Sequence, residues 1–252
     1  MTDIIPALTG ATLAIAAIAL IAGAVRGFVG FGAGMILIPF VSAYFGPKIG
    51  ASSILVADGI LTLPYLFASV RRCEPKTVLP VALGAVVAVP IGAYLLHTVD
   101  PTPIRWAIAP LIAVLLALLL SGWRYKDTPP FATSVSVGAA AGFLSGLIQL
   151  SGPPVVALWI SGPASPQTIR ANIYVFFGVT TVIAVISYAV GGIFGGNLIP
   201  ILVTIVPGYA VGLIAGSRYA GRANPVVFRR MAIGLIAISV IVSLPILDPY
   251  IR

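Results

Sequence analysis

The amino-acid sequence predicts an all-α integral membrane protein. Of its 252 residues, 60% are hydrophobic and only 8% are charged, whereas soluble domains carry roughly 25% charged residues. Apolar runs recur along the whole chain, and a bilayer-spanning helix needs about 20 mainly apolar residues. These runs show no polar–apolar alternation, and an open sheet facing lipid would leave its backbone groups unpaired.

About ten helical segments are predicted, with turn or helix-start signals such as Ser165-Pro166 between them. They cover residues 4–25, 28–45, 51–70, 77–97, 103–120, 131–148, 153–160, 169–190, 198–219 and 227–244.

The basic residues predict how these segments are oriented. Only Lys48, Arg105 and Arg252 of the 14 Lys and Arg residues fall on the same side of the membrane as the N-terminus. Because cytoplasmic loops carry an excess of Lys and Arg, the opposite side is predicted to be cytoplasmic and both termini periplasmic.

The two halves of the sequence resemble each other, which predicts an internal duplication. Residues 23–27 pair with 142–146 at an offset of 119, and residues 49–52 pair with 169–172 at an offset of 120. The predicted organisation is a first transmembrane repeat over 1–122, a cytoplasmic linker over 123–130 and a second repeat over 131–252. Each half holds an odd number of segments, so the repeats would be inverted, as is common in secondary transporters.

The joint between the first two segments of each half is the predicted binding site for a small anion. In the first half it contains Gly30, Phe31, Gly32 and Gly34, and glycines weaken a continuous helix. The second-half joint contains Gln149, Ser151, Gly152 and Pro153, and proline suits the first turn of a new helix.

A restarting helix directs N–H groups and the positive end of its dipole at the gap, which favours an anion. The two joints are expected to face each other near the membrane midplane, with broken or re-entrant helices. Close helix–helix packing is the alternative explanation for the glycines.

Three further polar residues are candidates. Asp58 is the only acid deep inside a predicted span, where an ionisable group is a functional candidate, here for carrying a coupling proton. Its alternative role is that of a structural partner for Arg26 or Arg170. Arg170 and Asn172 open a span beside the second joint and are predicted to contact substrate, because Arg binds oxyanions bidentately. Arg170 could equally be a cytoplasmic anchor.

Several function classes are not expected. Cys73 and His97 are the only Cys and His, so we expect neither a metal site nor a cofactor. No enzyme motif or catalytic residue is recognised, and no basic patch interleaved with aromatics suggests nucleic-acid binding.

The sequence resembles the sulfite exporter TauE/SafE family of bacterial membrane permeases. The resemblance rests on the run 27–39, on the run 142–146 with 151–154, and on the duplicated arrangement. It implies alternating-access transport of a small sulfur-containing anion, such as sulfite, thiosulfate or an organosulfonate, across the cell inner membrane. A co-transported proton or sodium ion would supply the energy.

An anion channel, or a transporter of another anion such as a carboxylate, is the alternative function. The apolar surface suits the lipid bilayer and a homodimer interface equally.

Overall fold

The computed structural model describes residues 10–121, 129–159, 164–195 and 198–220, and the isolated positions 233, 234, 237 and 241. Within them the chain is helical and contains no strand, which confirms the predicted all-α class. The helices are α1 (Gly10–Val29), α2 (Ala33–Phe45), α3 (Pro47–Leu61), α4 (Leu63–Val70), α5 (Pro75–Thr98), α6 (Pro101–Leu120), α7 (Phe131–Ile148), α8 (Gly152–Trp159), α9 (Pro166–Val190) and α10 (Leu198–Tyr219).

Six of these helices are long and apolar enough to cross a membrane, namely α1, α5, α6, α7, α9 and α10. The bent pair α3–α4 would make a seventh span. Large apolar side chains remain exposed on the spans, for example Val87 (67%) and Val190 (85%). Such a surface requires lipid or another protein against it.

Two predicted boundaries were wrong for identifiable reasons. The third segment is two helices that meet at a 55° bend, because Pro64 lies in the first turn of α4 and clashes with a continuing helix. The second segment does not begin at Phe28, since α1 continues to Val29 and its last turn closes with the Gly30 N–H donating to the Arg26 carbonyl at 2.8 Å. The tenth predicted segment, 227–244, lies almost wholly outside the described residues.

The chain forms two compact units, and each takes helices from both halves of the sequence. The first unit contains α1, α2, most of α3, the first part of α6 and α10. The second contains α4, α5, the end of α6, α7, α8 and α9. The duplication itself stays a prediction from the sequence.

In the first unit, glycines bring α1 and α10 into close contact. A Cβ on Gly23 would collide with the Tyr209 carbonyl, and a Cβ on Gly27 would collide with the Leu213 carbonyl. The contacting residue numbers rise together along both helices, so α1 and α10 run parallel.

In the second unit, α5 and α7 pack in the same way. A Cβ on Gly92 would collide with the Phe143 carbonyl, and one on Gly146 with the Val89 carbonyl. These helices are also parallel. In both units, therefore, the first segment of one sequence half packs against the fourth segment of the other half. The glycines at these contacts serve close helix–helix packing.

The remaining helices of the second unit fix the ends of α7. Helix α9 runs parallel to α7, because Asn172 contacts Glu74 before α5 and Tyr188 contacts Gly146 near the end of α7. Helix α8 runs back along α7, since it starts just after the end of α7 and Trp159 shares a cavity with Ser134 at the α7 start. The second joint is therefore the tip of an α7–α8 hairpin.

Substitution of Gly146 by alanine should destabilise the protein. Alanine is normally the better helix residue by about 0.5–1 kcal/mol, but here its methyl group must displace the backbone of α5. We expect a loss of about 1–3 kcal/mol, measured by thermal unfolding in detergent. The control is Gly195→Ala, whose Cβ would lie 3.8 Å from its nearest neighbour, Ile49 Cδ1. Equal melting temperatures for the two variants would contradict the proposed packing role.

Candidate functional site

The second helix break is formed around a strained glutamine. Helix α7 ends at Ile148, and Gln149 adopts φ 54° and ψ 37°, in the left-handed region. It is the one non-glycine residue with positive φ in the described part of the chain. This conformation costs roughly 1–2 kcal/mol for an L-residue, and Gly30 occupies the corresponding place in the first break with φ 94°. Strain of this kind is concentrated at functional sites.

The Gln149 side chain is oriented by a short chain of hydrogen bonds. Its Nε2 donates to the Tyr188 hydroxyl at 3.3 Å, and that hydroxyl donates to the Gly146 carbonyl at 2.8 Å. Tyr188 is fully buried. Since a primary amide carries two N–H groups and one carbonyl, Gln149 keeps one N–H and its Oε1 for a ligand.

Helix α8 begins at the break with a small set of donors. Ser151 immediately precedes it and is 6% exposed, while Gly152 and Pro153 form its first turn and are buried. The first four N–H groups of a helix have no partner within it, and Pro153 and Pro154 remove two of them. The Gly152 amide and the Ser151 hydroxyl remain, beside the positive end of the α8 dipole.

The first break has the same plan but a different composition. Gly30 and Gly32 have φ values of 94° and 97°, with the half-buried Phe31 between them. Helix α2 starts at Ala33, has buried Gly34 in its first turn and carries no acidic residue there. Arg26 lies one turn before the break and is 2% exposed. The positive end of α2 therefore lies at this break, and the buried Arg26 is in the last turn of the helix that precedes it.

Arg170 and Asn172 lie away from the second break. The Asn172 Oδ1 accepts the Glu74 N–H at 2.8 Å and its Nδ2 donates to Thr77 Oγ1 at 3.1 Å, which ties α9 to the start of α5. The Arg170 guanidinium lies 5.8 Å from the centre of the Tyr174 ring. Asn172 lies about 24 Å from Tyr188 along α9, at 1.5 Å per residue, and Tyr188 is the residue that contacts Gln149. The structure therefore does not bring Arg170 and Asn172 together with Gln149.

Asp58 lies in the last turn of α3, just before the 55° bend. It is half-buried, and its carbonyl accepts both the Thr62 N–H at 2.9 Å and the Thr62 hydroxyl at 2.6 Å. The acidic side chain is thus placed at an interruption of a span.

Sequence reasoning missed Tyr188. The available signal was a tyrosine inside an apolar span, because a buried tyrosine hydroxyl needs a hydrogen-bond partner. Its partners are 39 and 42 residues away in sequence, so the pattern alone could not identify them. In the described part of the chain, no three His, Cys, Asp or Glu residues are grouped so as to hold a metal ion.

Several apolar helices long enough to cross a membrane, together with the bent pair α3–α4, define the class of multi-pass α-helical membrane proteins. The chain belongs to the sulfite exporter TauE/SafE family, whose family model matches residues 15–243. It is similar to the probable sulfite/organosulfonate exporter TauE of Cupriavidus necator, with 24% identity over 237 residues that cover 88% of this chain and 90% of that protein. No solved structure matches the chain.

The strain at Gln149 predicts an unusual order of stability among its variants. Gln149→Ala loses the bond to Tyr188, worth about 0.5–1.5 kcal/mol, and keeps the unfavourable φ. Gln149→Gly loses the same bond but relieves strain of about 1–2 kcal/mol. We therefore expect the glycine variant to melt close to the wild type and above the alanine variant. An alanine variant of equal or higher stability would contradict the assigned backbone strain.

Proposed function

We propose that the chain is a secondary transporter that moves a small sulfur-containing anion, of the sulfite or organosulfonate class, across the bacterial inner membrane. The observation that carries this proposal is Gln149, kept at a backbone position that favours glycine and oriented by Tyr188. Membership of the TauE/SafE family and the name of the Cupriavidus relative, a probable sulfite/organosulfonate exporter, support the choice of cargo and favour export.

The donors at the second break suit the oxygen atoms of a sulfonate group. The free Gln149 N–H, the Ser151 hydroxyl and the Gly152 amide are neutral donors beside the positive end of α8. Hydrogen bonds to a charged partner contribute about 1.5–3 kcal/mol each. Neutral donors hold the anion without a fixed counter-charge, which permits its release on the other side.

The first break, which lies in the other compact unit, offers a set of donors of its own. Its glycine amides and the positive end of α2 would bind oxyanion oxygens without any polar side chain at Gly30, Phe31, Gly32 or Gly34. The buried charge of Arg26 adds a positive field at the same break. Side-chain selectivity is therefore assigned to Gln149 and Ser151.

Alternating access is the proposed mechanism, since interrupted helices at corresponding places of two inverted repeats are its usual framework. A proton or sodium gradient would drive transport, with Asp58 as the proposed coupling group. The proposed topology keeps both termini periplasmic.

The second break is tested with Gln149→Gly and Ser151→Ala. We expect sulfite or an organosulfonate to stabilise the wild-type protein in detergent by about 2.7 kcal/mol at 100 times its dissociation constant. Each variant should lower the affinity about tenfold or more, since each removes a hydrogen bond to a charged ligand, and should reduce transport into vesicles.

The control for this experiment is Ser136→Ala, an exposed serine on α7 whose hydroxyl bonds only locally to the Ala132 carbonyl at 2.9 Å. It should bind and transport as the wild type does. Normal affinity and transport in both break variants would exclude the second break as the anion site. Stabilisation by carboxylates alone would overturn the assigned cargo.

The coupling role of Asp58 is tested with Asp58→Asn, which preserves shape and removes the charge. We expect anion binding to remain measurable, while the dependence of transport on the pH gradient disappears. Asp100→Asn, at an exposed acid before α6, is the control and should keep that dependence. An unchanged pH dependence in Asp58→Asn would remove Asp58 from the coupling role.

A further inference from the structure

A cavity of about 210 Å³ lies in the second unit at the end of α7 opposite to the break. Residues from the starts of α5, α7 and α9 and from the end of α8 line it. The polar or amphipathic ones are Glu74, Lys76, Thr77, Ser134, Trp159 and Asn172. Ser134 and Gln149 are 15 positions apart on α7, which places the cavity about 22 Å from the break.

The helix ends make this cavity electropositive. Helices α5, α7 and α9 all begin at this end of the unit, and none has an acidic residue in its first turn. The residues that precede α5 and α7, Glu74 and Pro130, provide no side-chain cap. At α5 the Thr77 N–H already donates to the Glu74 carbonyl, and at α9 a serine side chain caps the first turn. The first-turn amides of α7 are therefore the ones left for another acceptor, and Lys76 adds a positive charge at the wall.

Ser134 gives an independent indication of a ligand. It is only 7% exposed and lines the cavity, yet within the described residues its hydroxyl has no hydrogen-bond partner. Ser136, two positions later and exposed, does bond to the Ala132 carbonyl. Asn172 has a second Nδ2 hydrogen beyond the one given to Thr77. The Trp159 indole N–H is another buried donor without a partner in the described part of the chain.

The wall supplies donors from a buried hydroxyl, a side-chain amide, a helix N-terminus and a lysine. Among the described residues that line the cavity, Glu74 is the one carboxylate. We propose that this cavity is a second oxyanion site, which binds the sulfonate or sulfite group of the cargo separately from the helix break. The choice of ligand rests on the proposed function. Arg71 and Arg72 lie at the same end of the unit, just before α5, and this end is the predicted cytoplasmic one. The site would therefore load anions for export.

Trp159 provides a direct measurement of binding at this site. Trp106 is on α6 and 46% exposed, so a Trp106→Phe, Trp123→Phe background leaves Trp159 as the single tryptophan. The full-length protein, in nanodiscs of neutral phosphatidylcholine at constant ionic strength, is titrated with methanesulfonate while Trp159 emission is recorded. Uncharged dimethyl sulfone serves as the matched control ligand.

We expect a saturable change in emission with methanesulfonate and none with dimethyl sulfone. Ser134→Ala should weaken binding about tenfold, through loss of a hydrogen bond to a charged group. Substitutions of Glu74 and Lys76 should change the affinity in opposite directions, because these two cavity-wall residues carry opposite charges. The effects should be small, since both side chains are exposed. Lys76→Gln should weaken binding and Glu74→Gln should tighten it, each about two- to fivefold.

The variant Gln149→Gly separates the two sites. It should lose transport and keep the Trp159 titration midpoint within about twofold of the single-tryptophan parent, since the cavity is about 22 Å away. Loss of the Trp159 response in Gln149→Gly would show that the signal reports the break, and would overturn the second site. No saturable response in a protein that transports sulfonates would overturn the inference and leave the proposed function intact.

A lipid headgroup is distinguished in a second arm. Nanodiscs that contain phosphatidylglycerol, without free sulfonate, should not change the Trp159 emission. A response to phosphatidylglycerol alone, with none to methanesulfonate, would overturn the assignment to cargo. Binding at Trp159 by a protein that transports no sulfonate would support the oxyanion site and contradict the proposed function.

Discussion

The close contact between α5 and α7 is the constraint on which the second unit depends. Gly146 has no room for a Cβ against the Val89 carbonyl, and its own carbonyl accepts the Tyr188 hydroxyl at 2.8 Å. Gly146 is therefore one of the glycines that set the distance between the two helices, and it also anchors the hydrogen bonds that orient Gln149. Hydrophobic burial does not drive helices together in lipid, so association depends on such packing and on hydrogen bonds between helices. The orientation of Gln149 at the break therefore depends on how closely α5 and α7 pack.

The two units use the same packing device and differ in what they place at the break. Gly30 adopts its positive φ with little strain, whereas Gln149 does so at a cost of roughly 1–2 kcal/mol. A glycine at position 149 would satisfy the backbone and provide no side chain. The two breaks therefore differ in that the second carries a side-chain amide, and the proposed anion selectivity depends on that amide.

Much of the fold could be predicted from the sequence because apolar runs long enough to span a bilayer have few alternatives. The bounds of α7 and α10 were predicted residue for residue. The bend at Thr62 could have been predicted from Pro64. The extension of α1 past Phe28 could not, because Gly27 keeps a helical backbone and Gly30 is the first glycine with a positive φ. The grouping of Arg170 and Asn172 with the break stays a prediction, and the direction of α9 argues against it, because that helix places Asn172 and Tyr188 at opposite ends. Sequence neighbours of a joint are not its spatial neighbours when a hairpin turns the chain back.

The hairpin also raises an electrostatic problem at the break, which the structure solves locally. The end of α7 directs unpaired carbonyls and the negative end of its dipole at the gap, which would repel an anion there. The Gln149 N–H donates to the Ser145 carbonyl at 3.0 Å, and Tyr188 donates to the next carbonyl, that of Gly146. With these two acceptors occupied, the end of α7 is less negative beside the N–H groups of α8. At the proposed site, Gln149 and Tyr188 would therefore do more than orient a side chain, because they would also reduce the repulsion between the end of α7 and an anion.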